Sequence, residues 1–341
     1  MKKTLILCTC ILLATVLCLG FVQLLVTPKY MTSSRDGALI AEYYNEVPDH
    51  DVVFIGDCEV YECFTPPTLW QEYGITSYVR GSAQQLIWQS YYLLEETLKR
   101  ETPKAVVFNV LSIKYGEPQS EAYNRMTLDG MKWSSSKIDA IHASMTEEED
   151  FLSYVFPLLR FHSRWSDLGA EDWRYLFHRD RVSHNGYLMQ TAVSPKTSDR
   201  EGRPLADYTL PEVGLEYLEK MRALCEEKGV EFILIKAPTN NWKYYWYDEW
   251  EEQIVAWANE KNVDYYNFIP LDGEIGIDWS TDTYDGGVHL NVFGAEKLTS
   301  YFGDILVQKY GLSDRRGEAE LDALWAEKLA IYQKERNGEN K

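Results

Sequence analysis

The sequence predicts an α/β protein, with a parallel β-sheet covered by helices on both faces and one transmembrane helix at the N-terminus. Short apolar segments have the length and composition of buried strands, and most are separated by segments of helical periodicity. Strands that alternate with helices are typical of a parallel sheet, because the helices both connect and cover the strands. The predicted strands are Val52–Ile55, Ser77–Val79, Ala105–Val110, Glu231–Ile235 and Asp264–Phe268, and the clearest helices are Leu86–Leu98, Gly214–Lys228, Trp250–Glu260 and Phe293–Val307.

The N-terminal segment predicts a membrane anchor, since no charged residue lies between Thr4 and Val26. At about 1.5 Å per residue, a helix over this segment is roughly 34 Å long, enough to cross a bilayer core. Lys2 and Lys3 precede it, so the positive-inside rule places the N-terminus in the cytoplasm and the remaining chain outside. A cleaved signal peptide is the alternative. The apolar stretch exceeds the usual h-region of about 7–15 residues, which favours an uncleaved anchor.

The chain divides into an anchor, a linker, one large domain and a C-terminal helix. Residues 1–27 hold the cytoplasmic end and the anchor, residues 28–50 the linker, residues 51–312 the α/β domain and residues 313–341 a terminal helix with a polar tail. An insertion at about 112–211 interrupts the strand–helix alternation. Within it, Met145–Phe161 and Glu171–Arg181 are predicted to be helical, and Val193–Tyr208 a loop.

The net charge of −19 disfavours binding to nucleic acid or to anionic lipid surfaces, which require basic patches. It does not disfavour sugars. Outside the anchor the cysteines are Cys58, Cys63 and Cys225. A Cys58–Cys63 disulfide requires a tight curl of the chain and is not the favoured interpretation, and Cys225 is predicted to be a core thiol. No Cys/His spacing resembles a metal site, and no cofactor is expected.

Cys58 is the first candidate for a catalytic role. The apolar run from Val52 to Ile55 breaks at Gly56 and Asp57 and then reaches this thiol. Parallel strands end at the carboxyl edge of the sheet, where α/β proteins bind their ligands. The alternative is that Cys58 is a small buried hydrophobic residue, as free cysteines often are. Asp57 is expected to form the turn by bonding its own backbone.

His289 is the second candidate. It follows Asp285, Gly286 and Gly287 and directly precedes a predicted helix. A histidine held on a glycine-rich turn can point across the strand ends, and a nearby aspartate can orient its ring. Although Cys58 and His289 lie near opposite ends of the domain sequence, both are expected at the same sheet edge.

Together these blocks resemble the SGNH (GDSL-like) hydrolase superfamily, in particular its membrane-anchored branch of lipoteichoic-acid D-alanylation and alginate O-acetylation proteins. The resemblance covers about residues 50–310. The family's Gly-Asp-Ser block corresponds to Gly56-Asp57-Cys58, and its Asp-x-x-His-Leu block to Asp285 through His289-Leu290. The glycine and asparagine blocks correspond less specifically to Gly81 and Asn109. The resemblance implies a three-layer, flavodoxin-like fold.

The resemblance implies a role for each matched residue. Cys58 would be the nucleophile, His289 the general base and Asp285 the orienting carboxylate, and the oxyanion would be held by the backbone N–H groups of Cys58 and Gly81 with an amide from Asn109 or Asn124. Such preorganised donors typically contribute a few kcal/mol to acyl transfer.

The chain departs from the family pattern at two points. The family serine is a cysteine, which is either an acyl acceptor activated by an imidazole or a mark of a lost activity. Asp285 also precedes His289 by four residues instead of three. Two glycines can absorb the extra residue, and Asp282 is the fallback acid.

A run of aromatic residues provides a candidate sugar-binding surface, because aromatic faces can stack on sugar rings. Packing against their own domain is the alternative. The residues are Trp242, Tyr244, Tyr245 and Trp246.

The resemblance and the candidate site residues give three hypotheses for the function. The favoured one is an extracytoplasmic O-acyltransferase or esterase that acts on a cell-wall or secreted glycan, with a membrane-bound O-acyltransferase as the partner that the resemblance implies. The second is a non-catalytic accessory or glycan-binding protein. The third, a secreted lipase, is disfavoured because no apolar loop suits a lipid.

Overall fold

The computed structural model describes residues 2–28, 36–199, 206–241 and 247–339. In these residues the chain is an α/β protein with a five-stranded, all-parallel sheet in the order β2-β1-β3-β4-β5. All five predicted strands are confirmed, with ends that differ by one or two residues. They are β1 Val52–Gly56, β2 Ser77–Gly81, β3 Ala105–Asn109, β4 Glu231–Lys236 and β5 Asp264–Asn267.

Helices surround the sheet, and the four clearest predicted helices correspond to α5, α11, α12 and α14. The helices are α1 Lys2–Val26, α2 Asp36–Glu42, α3 Cys58–Tyr61, α4 Pro66–Tyr73, α5 Ile87–Arg100, α6 Glu121–Leu128, α7 Ser135–Ser144, α8 Phe151–Val155, α9 Pro157–Phe161, α10 Ala170–Tyr175, α11 Glu212–Lys228, α12 Tyr247–Lys261, α13 Asp272–Ile275, α14 Val292–Tyr310 and α15 Ala319–Arg336.

The central strands are buried along their whole length, which explains their continuous apolar sequences. Successive side chains of a strand point to opposite faces of the sheet. Accordingly, Phe54 packs with Phe64 and Phe302 in one hydrophobic cluster, whereas Val53 and Ile55 belong to a second cluster. The second cluster includes side chains from α5, α11 and α12. Two cores therefore fix the sheet and hold its carboxyl edge in place.

Helix α1 is long and apolar enough to cross a membrane, judged by length and composition. Its side chains are exposed until the last turn, where Leu25 and Val26 are buried. The contacts of this last turn are with the helical insertion, so α1 meets the domain at its carboxyl end.

The helical insertion differs from its prediction at a proline. The predicted helix Met145–Phe161 is instead α8 and α9, which meet at Pro157. Proline cannot donate a backbone hydrogen bond and disfavours the helical conformation of the residue before it. Phe156 accordingly has φ −123° and ψ 79°, outside the helical region. The predicted helix Glu171–Arg181 is shorter, at Ala170–Tyr175. In the predicted loop 193–208, residues 200–205 lie outside the described residues and the others form no helix or strand.

The segments on either side of the domain pack onto it. Part of the predicted linker forms α2 and a 3-10 turn, and Leu39, Ile40 and Tyr43 are fully buried there. The predicted terminal helix is α15, which packs on the domain: its Trp325 is buried and stacks on Trp70, with ring centroids 5.4 Å apart. Cys225 lies in the second hydrophobic cluster, as the helical spacing of α11 indicates.

Candidate active site

Strand β1 places Cys58 at the carboxyl edge of the sheet. After Gly56 the chain turns at Asp57, which is the N-cap of α3 and whose carboxylate accepts a hydrogen bond from Glu59 N at 3.2 Å. N-cap residues satisfy backbone N–H groups that the first turn of a helix leaves without helical partners. Cys58 is thereby the first residue of α3, and its side chain is half-buried.

His289 is fixed by the turn that precedes α14. Gly286 and Gly287 have φ values of 82° and 85°, a region that favours glycine. This turn lets Asp285 fold back over the loop, where its Oδ1 accepts hydrogen bonds from Val288 N at 3.2 Å and His289 N at 2.9 Å. Its Oδ2 lies 2.7 Å from His289 Nδ1. The four-residue spacing is thus compatible with an orienting carboxylate.

The structure brings Cys58, His289 and Asp285 into one hydrogen-bonded chain. Cys58 Sγ lies 3.1 Å from His289 Nε2, on the side of the ring opposite Asp285. A thiol, an imidazole and a carboxylate in this order can move a proton from sulfur to nitrogen while the carboxylate stabilises the imidazolium. Asp282, the fallback acid, is instead paired with Lys297 at 2.6 Å.

A second carboxylate, Glu62, also faces His289. Its Oε2 lies 3.4 Å from His289 Nδ1, and both of its oxygens accept a hydrogen bond from Tyr284 OH at 2.9 Å. The Tyr284 ring lies nearly parallel to the imidazole, with an interplanar angle of 19°. Glu62 is 4% exposed. Two carboxylates are therefore positioned to favour the protonated form of one imidazole.

The protonation of the Cys58–His289 pair reflects burial and these carboxylates. Burial raises the pKa of the Cys58 thiol to about 11, and the nearby His289 opposes that rise in part. Burial lowers the pKa of His289, but Cys58, Asp285 and Glu62 raise it by a larger amount, to well above its usual value. The pKa values of both groups are thus raised, and transfer of the thiol proton to His289 gives a thiolate beside an imidazolium.

A buried charge network lies on the other side of Cys58. Lys236 Nζ is 2.8 and 2.7 Å from the two carboxylate oxygens of Glu59. The Asn109 amide donates to Glu59 at 2.9 Å and to Asp57 at 3.2 Å. These four side chains are at most 5% exposed. Burial and Glu59 raise the pKa of Asp57 to about 6, while Lys114 and Lys236 lower it. The network fixes the turn that carries Cys58.

The three predicted oxyanion residues lie in different environments. Gly81 pairs with Gly56 at the ends of β2 and β1, and a Cβ at Gly81 would be 2.9 Å from Gly56 O and 3.4 Å from Asp57 O. Only glycine permits this approach, which brings its backbone close to Cys58. The Asn109 amide donates to carboxylates, as described above, and is not directed at Cys58. Asn124 lies on α6, where its amide donates to Ser144 O at 2.6 Å.

The four residues of the predicted sugar-binding surface, Trp242, Tyr244, Tyr245 and Trp246, lie outside the described residues.

Sequence reasoning missed Glu59, Glu62, Lys236 and Tyr284. Glu59 and Glu62 follow Cys58 by one and four residues, and a short helix brings both beside the thiol. Lys236 follows the apolar run Phe232–Ile235 and ends its strand at the same sheet edge, a pattern that can signal a buried ion pair. Nothing in the sequence pairs Tyr284 with Glu62, because only the tertiary fold brings them together.

No protein-family model matches this chain, and no curated protein matches its sequence. The likeness to SGNH hydrolases therefore rests on the motif residues, and it remains a prediction.

Proposed function

We propose that this chain is a membrane-anchored, SGNH-like O-acyltransferase or esterase, with Cys58 as nucleophile and His289 as general base. The observation that carries the proposal is the chain from Cys58 Sγ through His289 to Asp285, with 3.1 and 2.7 Å separations. A cysteine beside a base oriented by a third group is the arrangement used for covalent acyl transfer.

The reaction has two steps. In the first, Cys58 Sγ attacks the carbonyl carbon of an acyl ester while His289 Nε2 takes the thiol proton and passes it to the departing alcohol, leaving an acyl thioester on Cys58. In the second, His289 removes a proton from an acceptor hydroxyl, which attacks the thioester, and the proton returns to the Cys58 sulfur. A glycan hydroxyl as acceptor gives transfer, and water gives hydrolysis.

The neighbouring groups have distinct roles in this mechanism. Asp285 and Glu62 stabilise the imidazolium that forms during attack, and Asp285 also orients the ring. The N–H groups of Cys58 and Gly81 are the proposed donors to the oxyanion, since Cys58 N lies in the first turn of α3 and Gly81 lies beside it.

The fold and topology agree with this proposal. The strand order β2-β1-β3-β4-β5 is that of flavodoxin-like sheets, and two hydrophobic clusters from alternate strand residues support a three-layer arrangement. Residues 4–26 would cross the membrane, with Lys2 and Lys3 inside and the domain outside. A cell-wall or secreted glycan is the proposed acceptor, and a membrane-bound O-acyltransferase the proposed donor partner.

The test uses the full-length chain in detergent micelles with p-nitrophenyl acetate. We expect acetylation of Cys58, identified by intact mass and peptide mapping, in the parent and in Cys63→Ala, a matched change of a buried thiol. Cys58→Ala should lose the adduct and the release of p-nitrophenolate. No adduct on Cys58, together with equal release from Cys58→Ala, contradicts the proposal.

A second candidate function is a catalytically inactive accessory or glycan-binding protein. It is favoured by the burial that raises the pKa of Cys58 to about 11, because the protonated thiol is a weak nucleophile. Turnover by Cys58→Ser with an inactive parent would support this alternative. If Cys58 of the parent is acetylated, the decay rate of the thioester is measured with and without a soluble oligosaccharide. Faster decay with the oligosaccharide indicates transfer, and an unchanged rate indicates hydrolysis.

A further inference from the structure

Six exposed large apolar side chains lie in one short part of the helical insertion, between residues 152 and 177. Soluble proteins seldom expose so many in one place, and such a concentration usually marks a contact with another molecule or a membrane. We call these six side chains the 152–177 surface. Its members, with their exposed fractions, are Leu152 (51%), Phe156 (51%), Leu159 (57%), Trp165 (73%), Trp173 (48%) and Phe177 (86%).

The elements that carry this surface dock on the carboxyl end of α1. Helices α9 and α10 and the 3-10 helix between them, His162–Asp167, contact α1. Gln23 Nε2 donates to Val155 O at 3.4 Å, and the Phe21 and Trp173 rings have centroids 6.2 Å apart. The surface is therefore tied to the last turns of α1 by polar and aromatic contacts.

Arg164 joins the two units at the helix end. Its guanidinium donates to Val26 O at 2.8 Å and pairs with Asp172 at 3.1 Å. The last carbonyl groups of a helix have no helical partners, and a basic side chain near them satisfies their hydrogen bonds and the helix dipole. A charged group at this point also indicates that the end of α1 lies at the polar boundary of a bilayer.

The length of α1 places the docked elements at that boundary. Twenty-five residues make a helix of about 38 Å, whereas the hydrocarbon core is about 30 Å thick. Phe21 is about 8 Å along the axis from Val26. Groups packed against Phe21, Gln23 and Val26 thus lie within or next to the headgroup layer, where tryptophan and other amphipathic aromatic residues are enriched.

The charge of residues 151–181 is compatible with a position next to the headgroup layer. Residues 151–181 contain five arginines and four acidic residues, whereas the whole chain has a net charge of −19. Arg160, Arg164, Arg174 and Arg181 are each paired with a carboxylate, so this segment is close to neutral and its charge does not exclude it from the headgroup layer. The aromatic side chains can then enter the upper acyl region.

We propose that the 152–177 surface lies in the outer-leaflet interface of the membrane that α1 spans, and that lipid is its occupant. This inference rests on the proposed membrane anchoring and is independent of catalysis at Cys58. The domain is then held against the bilayer in one orientation by its docked helices and is not free on a tether.

The test uses the full-length chain in vesicles of phosphatidylcholine, with p-benzoyl-phenylalanine replacing Phe177 or Trp165. The matched control carries the same photoreactive residue at Val255. This residue is exposed on α12, which packs beside β5, and β5 and β2 are the two edge strands of the sheet. After irradiation, lipid adducts are measured by mass spectrometry of the labelled peptides. We expect several-fold more lipid adduct at positions 177 and 165 than at 255.

Three results would overturn the proposal. They are a lipid yield at 177 and 165 no higher than at 255, crosslinks at these positions to a second copy of the chain instead of lipid, and release of the chain from vesicles by alkaline carbonate. The same labelling in a Cys58→Ala background should be unchanged. A failure of the lipid-labelling experiment is therefore distinguishable from a failure of the proposed enzyme activity, which is measured by acetylation of Cys58.

Discussion

Two pairs of carboxylates flank Cys58, and their charges are compensated in different ways. On one side, Glu59 is ion-paired with Lys236 at 2.7 Å, and the Asn109 amide bridges Glu59 and Asp57. On the other side, Glu62 and Asp285 face His289, whose charge depends on a proton. The Glu59–Lys236 ion pair is already formed in the resting structure and stabilises the turn that carries Cys58. The charges of Glu62 and Asp285 are balanced best when His289 accepts a proton, which in the proposed mechanism is the event that activates Cys58.

The pKa values of the two aspartates reflect the same difference. Burial and Glu59 raise the pKa of Asp57 to about 6. Burial also raises the pKa of Asp285, but the hydrogen bond and charge of His289 and two backbone N–H groups lower it to a net value below its usual range. Asp285 therefore carries its negative charge when His289 becomes protonated and needs a counter-charge. We infer that the Glu59–Lys236 side is structural and the Asp285–Glu62 side is reactive.

The largest expected effect follows removal of the base. His289→Asn should reduce the rate of Cys58 acetylation by about 10²–10⁴-fold, the usual contribution of a positioned base. The measurement is the p-nitrophenolate burst in the full-length chain. His184→Asn is a matched control, because the buried His184 also pairs with a carboxylate, Glu335, at 2.9 Å but lies on the α15 side of the domain. An unchanged burst in His289→Asn would remove His289 from the mechanism.

The next effect concerns the structural side. Lys236→Met leaves Glu59 buried without its cation, and removal of one partner of a buried pair costs about 3–5 kcal/mol. Denaturant unfolding of the full-length chain in micelles should show this loss in the free energy of unfolding. The double variant Lys236→Met/Glu59→Gln should recover most of it, because no unpaired charge remains. If the single change costs less than about 1 kcal/mol, Lys236 is not the main partner of Glu59.

The sequence predicts the framework of the site better than its electrostatics. Cys58 and His289 follow from strand and helix ends, which local patterns reveal even when the residues are distant in the chain. Pro157 is plain in the sequence, but the helical periodicity on both sides of it favours one continuous helix, so the break between α8 and α9 is not predicted. In contrast, the resemblance predicts Asn109 as an oxyanion donor, yet its amide donates to Asp57 and Glu59. Such pairings depend on which strand ends are neighbours, and single-sequence patterns do not contain that information.

The smallest effect, and the most specific to the reactive side, is on the pH dependence of Cys58 alkylation by iodoacetamide. Cys58 and the two carboxylates raise the pKa of His289, and burial raises that of Cys58, so the pair at low pH carries a proton on both nitrogen and sulfur. Loss of the first proton yields a state with partial thiolate, and loss of the second yields full thiolate, so the rate should rise in two steps.

Asp285→Asn should change both features of that profile in a defined direction. Without the carboxylate the pKa of His289 falls, so the first step moves to lower pH. The remaining proton then resides more on sulfur, so the rate between the two steps decreases. Glu62→Gln should act in the same direction and more weakly, because its oxygen lies 3.4 Å from Nδ1 instead of 2.7 Å. Asp282→Asn, which removes a carboxylate paired with Lys297, should leave the profile unchanged. The contradicting result is a pH profile with a single step that stays at the same pH in all three variants. It would show that Cys58 ionises independently of His289, so the Asp285–Glu62 pair would have no reactive role that distinguishes it from Asp57 and Glu59.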